Sequence, residues 1–253
     1  MGDSGDEKTL SYRYTFLLGD GTKRRFEVKV DYGTLGMVGT APADLPEWTR
    51  LEFCKCDNCP LDPRVHPRCP VAVNMVDLIE HFRHLEGSDA VDVEVEVRNR
   101  HYTARTTLQK GIGALIGLVM VTSGCPVMNR LRPMVDTHLP FMTIEESTYR
   151  IISMYLTAQH FIKARGGTPD WDLQGLLDLL AQTHRVNVGF TQRLRSLRIR
   201  DASLNAVVNL NASSDFISIA MESNWLERFE KIFVDHAGWG DSIEGIPLRK
   251  QRE

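Results

Sequence analysis

No stretch of this 253-residue chain is apolar for long enough to cross a bilayer. The most apolar uncharged stretch, 111–124, falls short of the roughly 20 residues that a spanning helix needs, and glycines interrupt it. A buried core helix is predicted there, and no membrane partner. The first ten residues hold neither a basic n-region nor an apolar h-region, so a cytoplasmic location is expected. Gly2 does not open a myristoylation signal, because Asp6 stands where that motif needs Ser or Thr.

Excess positive charge is also missing. A formal net charge of -3 gives no broad electrostatic footprint for nucleic acid, and the cluster Arg193, Arg195, Arg198 and Arg200 reads as a solvated helix face. The sequence has no P-loop, no dinucleotide-binding G-x-G-x2-G after a strand, no H-E-x2-H and no G-x-S-x-G. The phosphate cradle, metal helix and nucleophile elbow that those motifs build are therefore without their usual signatures.

What the chain does have is five cysteines, an odd number in a protein large enough to bury a core without staples. A disulfide framework is a poor explanation for them, and reduced thiols fit better. Four lie between Cys54 and Cys69, with a C-x-C (Cys54, Cys56) and a C-x2-C (Cys56, Cys59); the fifth is Cys125. A C-x2-C turn points two sulfurs at one spot, which suits tetrahedral zinc and iron-sulfur clusters alike.

The preferred ligands are Cys56, Cys59, Cys69 and Cys125, because Cys54 would have to bend back across one residue to share a centre with Cys56. Cys54 and His66 are the alternates, the latter giving a Cys3His zinc site. Cys59, Cys69 and Cys125 each precede a proline, the favoured first residue of a helix. Cys69 and Cys125 are thus expected at helix starts, where free N–H groups stabilise a thiolate. Cys-Pro pairs also close bacterial ferredoxin runs, whereas zinc ribbons pair two C-x2-C knuckles, so the balance tips to iron-sulfur over zinc. After Cys125, Arg130, Arg132 and His138 are candidates for an anion contact.

Around these residues, 11–31 alternates as a β-hairpin turning at Gly19-Asp20-Gly21. A second hairpin follows, with Val91, Val93, Val95 and Val97 before the turn at Asn99-Arg100 and 102–107 after it. Pro70 opens a helix between the pairs. From 108 the pattern is helical only: 108–122, a short 126–132 stopped by Pro133, 143–165 behind a capping box at Thr143, 172–199 with a break near Val186, and 201–236.

The expected fold is α+β, a small antiparallel sheet with one helix packed on a helical C-terminal half. Its parts would be 1–107 with the cysteine loop at 54–70, a helical 108–238, and a loosely held tail at 239–253. The run Cys56-Asp-Asn-Cys59-Pro-Leu, His66-Pro-Arg-Cys69-Pro-Val-Ala, Thr122-Ser-Gly-Cys125-Pro-Val-Met and His138-Leu-Pro-Phe resembles a family of uncharacterised bacterial proteins. That resemblance implies a bacterial, cytosolic origin and no mechanism. The function expected is a non-catalytic metal-centre protein with a sensor, regulatory or partner-docking role. The alternative is a thiol- or cluster-dependent redox enzyme acting at Cys125.

Overall fold

The computed structural model describes residues 8–39, 44–197 and 202–210, together with Phe233 and His236. Two hairpins form one antiparallel sheet: β1 (Thr9–Leu18) with β2 (Lys23–Asp31), and β3 (Ala90–Val97) with β4 (Arg100–Thr107). The order is β2-β1-β3-β4, with Tyr14 opposite both Phe26 and Val95. Strict alternation explains the two faces. Tyr12, Tyr14, Phe16, Val93 and Val95 are buried on one side. On the other, Arg13 pairs with Glu27 and Glu96, and Arg105 with Asp92, all exposed.

Two helices cover the apolar face. In α1 (Pro70–Phe82), Phe82 meets the Phe16 ring edge-on at 5.1 Å. In α2 (Leu108–Thr122), Gly111 lies so close to the sheet that an added Cβ would stand 2.8 Å from Val93 Cγ2. The helix starts directly from the last strand, since Thr107 both ends β4 and precedes α2 as its N-cap. One apolar cluster of the described residues runs from Leu10 to Val207, through sheet and helices alike.

Beyond α2 come a 3-10 turn (Met128–Leu131), the short α3 (Pro133–Asp136), α4 (Ile144–Ala164) and α5 (Gln174–Arg195). The architecture is α+β, with a helical C-terminal half. The capping box forms: Thr143 Oγ1 accepts from Glu146 N–H, and the Glu146 carboxylate accepts from Thr143 N–H at 2.7 Å. The short helical turn ends at Leu131, just before Pro133, and Pro133 itself opens α3, where its missing N–H has no cost. One expectation is corrected. No break occurs near Val186, because α5 is continuous from Gln174 to Arg195 and Val186 is one of its buried residues. Of the helix expected over 201–236, residues 202–210 are helical. The rest of it, apart from Phe233 and His236, lies outside the described residues with the expected tail. Among the described residues, no helix is long and apolar enough to cross a membrane.

Candidate metal centre

Between β2 and α1 the chain runs through a long irregular segment whose ends are fastened together. Arg50 and Arg68 form an isolated antiparallel bridge, Leu51 N–H donates to Pro67 O at 2.9 Å, and Cys69 N–H donates to Thr49 O at 2.8 Å. The loop so closed carries Cys54, Cys56 and Cys59. Inside it, Cys59 N–H donates to Cys56 O at 3.1 Å, the tight turn that the C-x2-C spacing predicts.

One face of α5 holds this loop in place through residues at helical spacing. Gln182 accepts two hydrogen bonds from Asn58 Nδ2, each 2.9 Å, through its backbone and side-chain oxygens. Arg185 pairs with Asp57 at 3.0 Å. Gly189 lets the backbones meet: a Cβ there would lie 2.7 Å from Cys56 Sγ. Cys56 Sγ itself is 3.9 Å from Val186 O. At the end of the same face is Arg193, only 2% exposed. Its guanidinium donates to the carbonyls of Trp48, Arg50 (2.8 Å), Leu51 (3.5 Å) and Cys54 (3.2 Å), and lies 5.7 Å from the centre of the Phe53 ring. A solvated face was expected for Arg193. The structure corrects this, because Arg193 follows Val186 by seven and Phe190 by three, and so shares their buried side.

The other two cysteines arrive from the helix ends. Cys69 is the residue before α1, with Pro70 in the first turn. Gly124, at φ +96°, turns the chain out of α2 and delivers Cys125, a left-handed conformation that favours glycine. The two junctions touch, since a Cβ on Gly124 would stand 3.8 Å from Pro70 Cβ. Asn74 Nδ2 fixes them by donating to Pro70 O (2.8 Å) and Ser123 O (3.4 Å).

Cys56, Cys59, Cys69 and Cys125 line one largely enclosed cavity, with Leu51, Leu61, Val71, Val127, Val186, Phe190 and Arg193 completing its wall. Burial pushes the Cys56 thiol up to about 12, and the neighbouring Cys69, Cys125 and Cys59 add to the shift. Burial also raises Cys69 and Cys125, but each is opposed by backbone N–H groups aimed at its sulfur: Ala72 and Val71 for Cys69, Met128 and Val127 for Cys125. Among the described residues, no three His, Cys, Asp or Glu side chains stand as a ready-made ligand set for a metal ion.

The alternates are placed elsewhere. His66 is exposed in the loop, and neither it nor Cys54 lines the cavity. Cys54 takes φ +52° and offers its carbonyl to Arg193. All five cysteines are free thiols.

The three residues expected at an anion contact are not brought together. Arg130 pairs with Asp178 at 3.6 Å. Arg132 lies beside Gly36, where an added Cβ would be 3.6 Å from its guanidinium carbon. His138 Nε2 is 2.6 Å from Tyr14 Oη, facing the sheet. None of them lines the cavity.

A family model described as a domain of unknown function (DUF6901) matches residues 10–234. The chain belongs to this family. The match takes in all of the sheet but Thr9, and every cysteine, so the cavity and the elements that build it lie within the family's span. No curated protein and no solved structure gives a significant match.

Proposed function

We propose that the protein holds an iron-sulfur cluster on Cys56, Cys59, Cys69 and Cys125 and uses it as a non-catalytic centre, to sense or to control docking of a protein partner. The observation that carries this reading is that these four, of five cysteines, line one cavity although Cys125 is 56 residues beyond Cys69 in sequence. Thiolates are the ligands for such clusters, and the apolar wall keeps water from them. The Cys-Pro pairs at Cys59, Cys69 and Cys125 and the single C-x2-C favour it over zinc, whose ribbons pair two such knuckles. The N–H groups directed at Cys69 and Cys125 offset the negative charge that four thiolates bring.

A sensing role fits better than catalysis, because the wall of the cavity carries no carboxylate, histidine or hydroxyl to move a proton. An enzyme acting through the Cys125 thiol has less support, since burial pushes that thiol up and a nucleophile must ionise. Loading would order the 50–68 loop, whose outer edge carries Val65 at 70% exposure, and offer that edge to a partner. A reducing, bacterial cytoplasm suits five free thiols.

Anaerobic purification followed by iron, sulfide and zinc analysis tests the reading. Iron and acid-labile sulfide in equal amounts, with a broad visible charge-transfer band, are expected; Cys69→Ser should abolish both, and Cys54→Ser should keep them. Colourless protein with one bound zinc would replace the cluster by a structural ion. Metal-free protein with five titratable thiols would overturn the proposal.

A further inference from the structure

Arg193 is the largest fully buried side chain among the described residues, and among them it has no carboxylate partner. The ion pairs that other arginines make, such as Arg13–Glu27, Arg105–Asp92 and Arg185–Asp57, are at the surface. A buried guanidinium is costly unless its charge is answered, and carbonyl dipoles answer only part of it. Its two terminal nitrogens make four hydrogen bonds to the carbonyls of Trp48, Arg50, Leu51 and Cys54, while its charge acts on the cysteines, favouring the thiolates of Cys56 and Cys69. It also lines the cavity with all four.

We propose that Arg193 is the buried counter-charge of the centre, so that the site is built for a net-negative tetrathiolate centre and Arg193 sets how readily that centre takes up an electron. This rests on the metal-centre reading. Four thiolates outweigh the charge of a cubane core, and an adjacent fixed cation stabilises the more negative, reduced form over the oxidised one. The step concerned is the transfer of one electron from an external one-electron reductant to the oxidised cluster, with no bond made or broken in the protein. The loop clamp and the charge are separable properties. Lysine keeps the charge but loses the fork that reaches four carbonyls, whereas methionine loses both.

The test is a redox titration of the anaerobically loaded protein, monitored in the visible band, for wild type, Arg193→Lys and Arg193→Met. If Arg193 acts as the counter-charge, the midpoint potential of Arg193→Met falls below wild type, and that of Arg193→Lys stays close to it. If Arg193 is only a structural clamp, both variants lose thermal stability while their potentials remain at the wild-type value, which would overturn the inference. Should Arg193→Met fail to fold, Arg193→Gln, which keeps hydrogen-bond donors without charge, takes its place and must show the same fall. Wild-type protein without iron would refute the centre itself, an outcome distinct from iron-loaded variants with unshifted potentials.

Discussion

The sheet pole and the cysteine pole are held together in opposite ways. At the sheet, Phe16, Phe82, Val93 and Ile112 fill the space between strands and helices, and the backbone is paired in ladders. Its deep polar contacts pair protein groups, Tyr12 with the Val135 carbonyl and Tyr14 with His138. At the cysteine pole, a loop with almost no regular structure is fastened to α5 by side chains. There Arg193 is buried with carbonyls and, among the described residues, no carboxylate partner, and burial disfavours ionisation of thiols that share one cavity. The two regions should therefore respond differently to the same kind of damage.

The sharpest way to separate them is a pair of glycine substitutions. Gly111→Ala puts a methyl 2.8 Å from Val93 Cγ2 and 3.2 Å from Phe16 Cε1, in a core that cannot yield. Overpacking of this kind costs typically 1–3 kcal/mol, so the chemical-denaturation midpoint should drop while metal content per folded molecule is kept. Gly189→Ala puts its methyl 2.7 Å from Cys56 Sγ and 3.2 Å from Cys56 Cα. That pushes one ligand away from the others, and metal content should fall by more than half with a smaller loss of stability. Equal metal loss in both variants would erase the distinction between the poles.

Acid should act on the sheet pole through His138. Burial, and then the charge of Arg150, lower its pKa to about 4 from the ordinary 6.5. Tyr14, buried and raised in pKa, keeps its proton and shares a hydrogen bond with Nε2. The folded protein thus holds His138 neutral where the unfolded chain would protonate it. Its contribution is intact above pH 6.5, falls as pH drops from about 6.5 to about 4, and levels off below. At about 1.4 kcal/mol per unit, the loss reaches about 3 kcal/mol. His138→Gln, measured against wild type across that window, should show a flatter decline. Parallel curves would mean that His138 does not titrate as the geometry requires.

Much of this was legible in the sequence, and what was not has a physical cause. The strands were readable because Tyr12, Tyr14 and Phe16 alternate with Arg13 and Thr15, and one face is fully covered. The ends of α4 were readable because Thr143 and Glu146 form a local cap. The four cavity cysteines followed from thiolate chemistry and Cys-Pro junctions, although nothing in the spacing alone brings Cys125 to Cys69; that needs α1 and α2 to lie side by side. Arg193 was hidden because three further arginines follow it within seven residues, and a run of charge is normally solvated. Its separation from Val186 and Phe190 carried the signal, since seven and three residues keep one helical face. The reach of His138 to Tyr14, across 124 positions, is set by α3 and the loop after it and has no local signature.

The smallest effect expected is on the solvent side of the sheet, and it serves as the control for both poles. Asp92 and Arg105 are direct cross-strand neighbours with their charged atoms 3.8 Å apart, and their side chains are 49% and 79% exposed. An exposed pair of this kind contributes roughly 0.2–1 kcal/mol, and salt screens it. Exchanging the two, Asp92→Arg with Arg105→Asp, should leave the denaturation midpoint within that range, and raising the salt concentration should shrink even the single-variant differences. The contrast with Arg193 is then direct, because both are arginines of one chain. If loss of Arg105 changed stability or metal content as strongly as loss of Arg193, the special standing given to the buried cation would rest on arginine in general and not on its place beside four thiols.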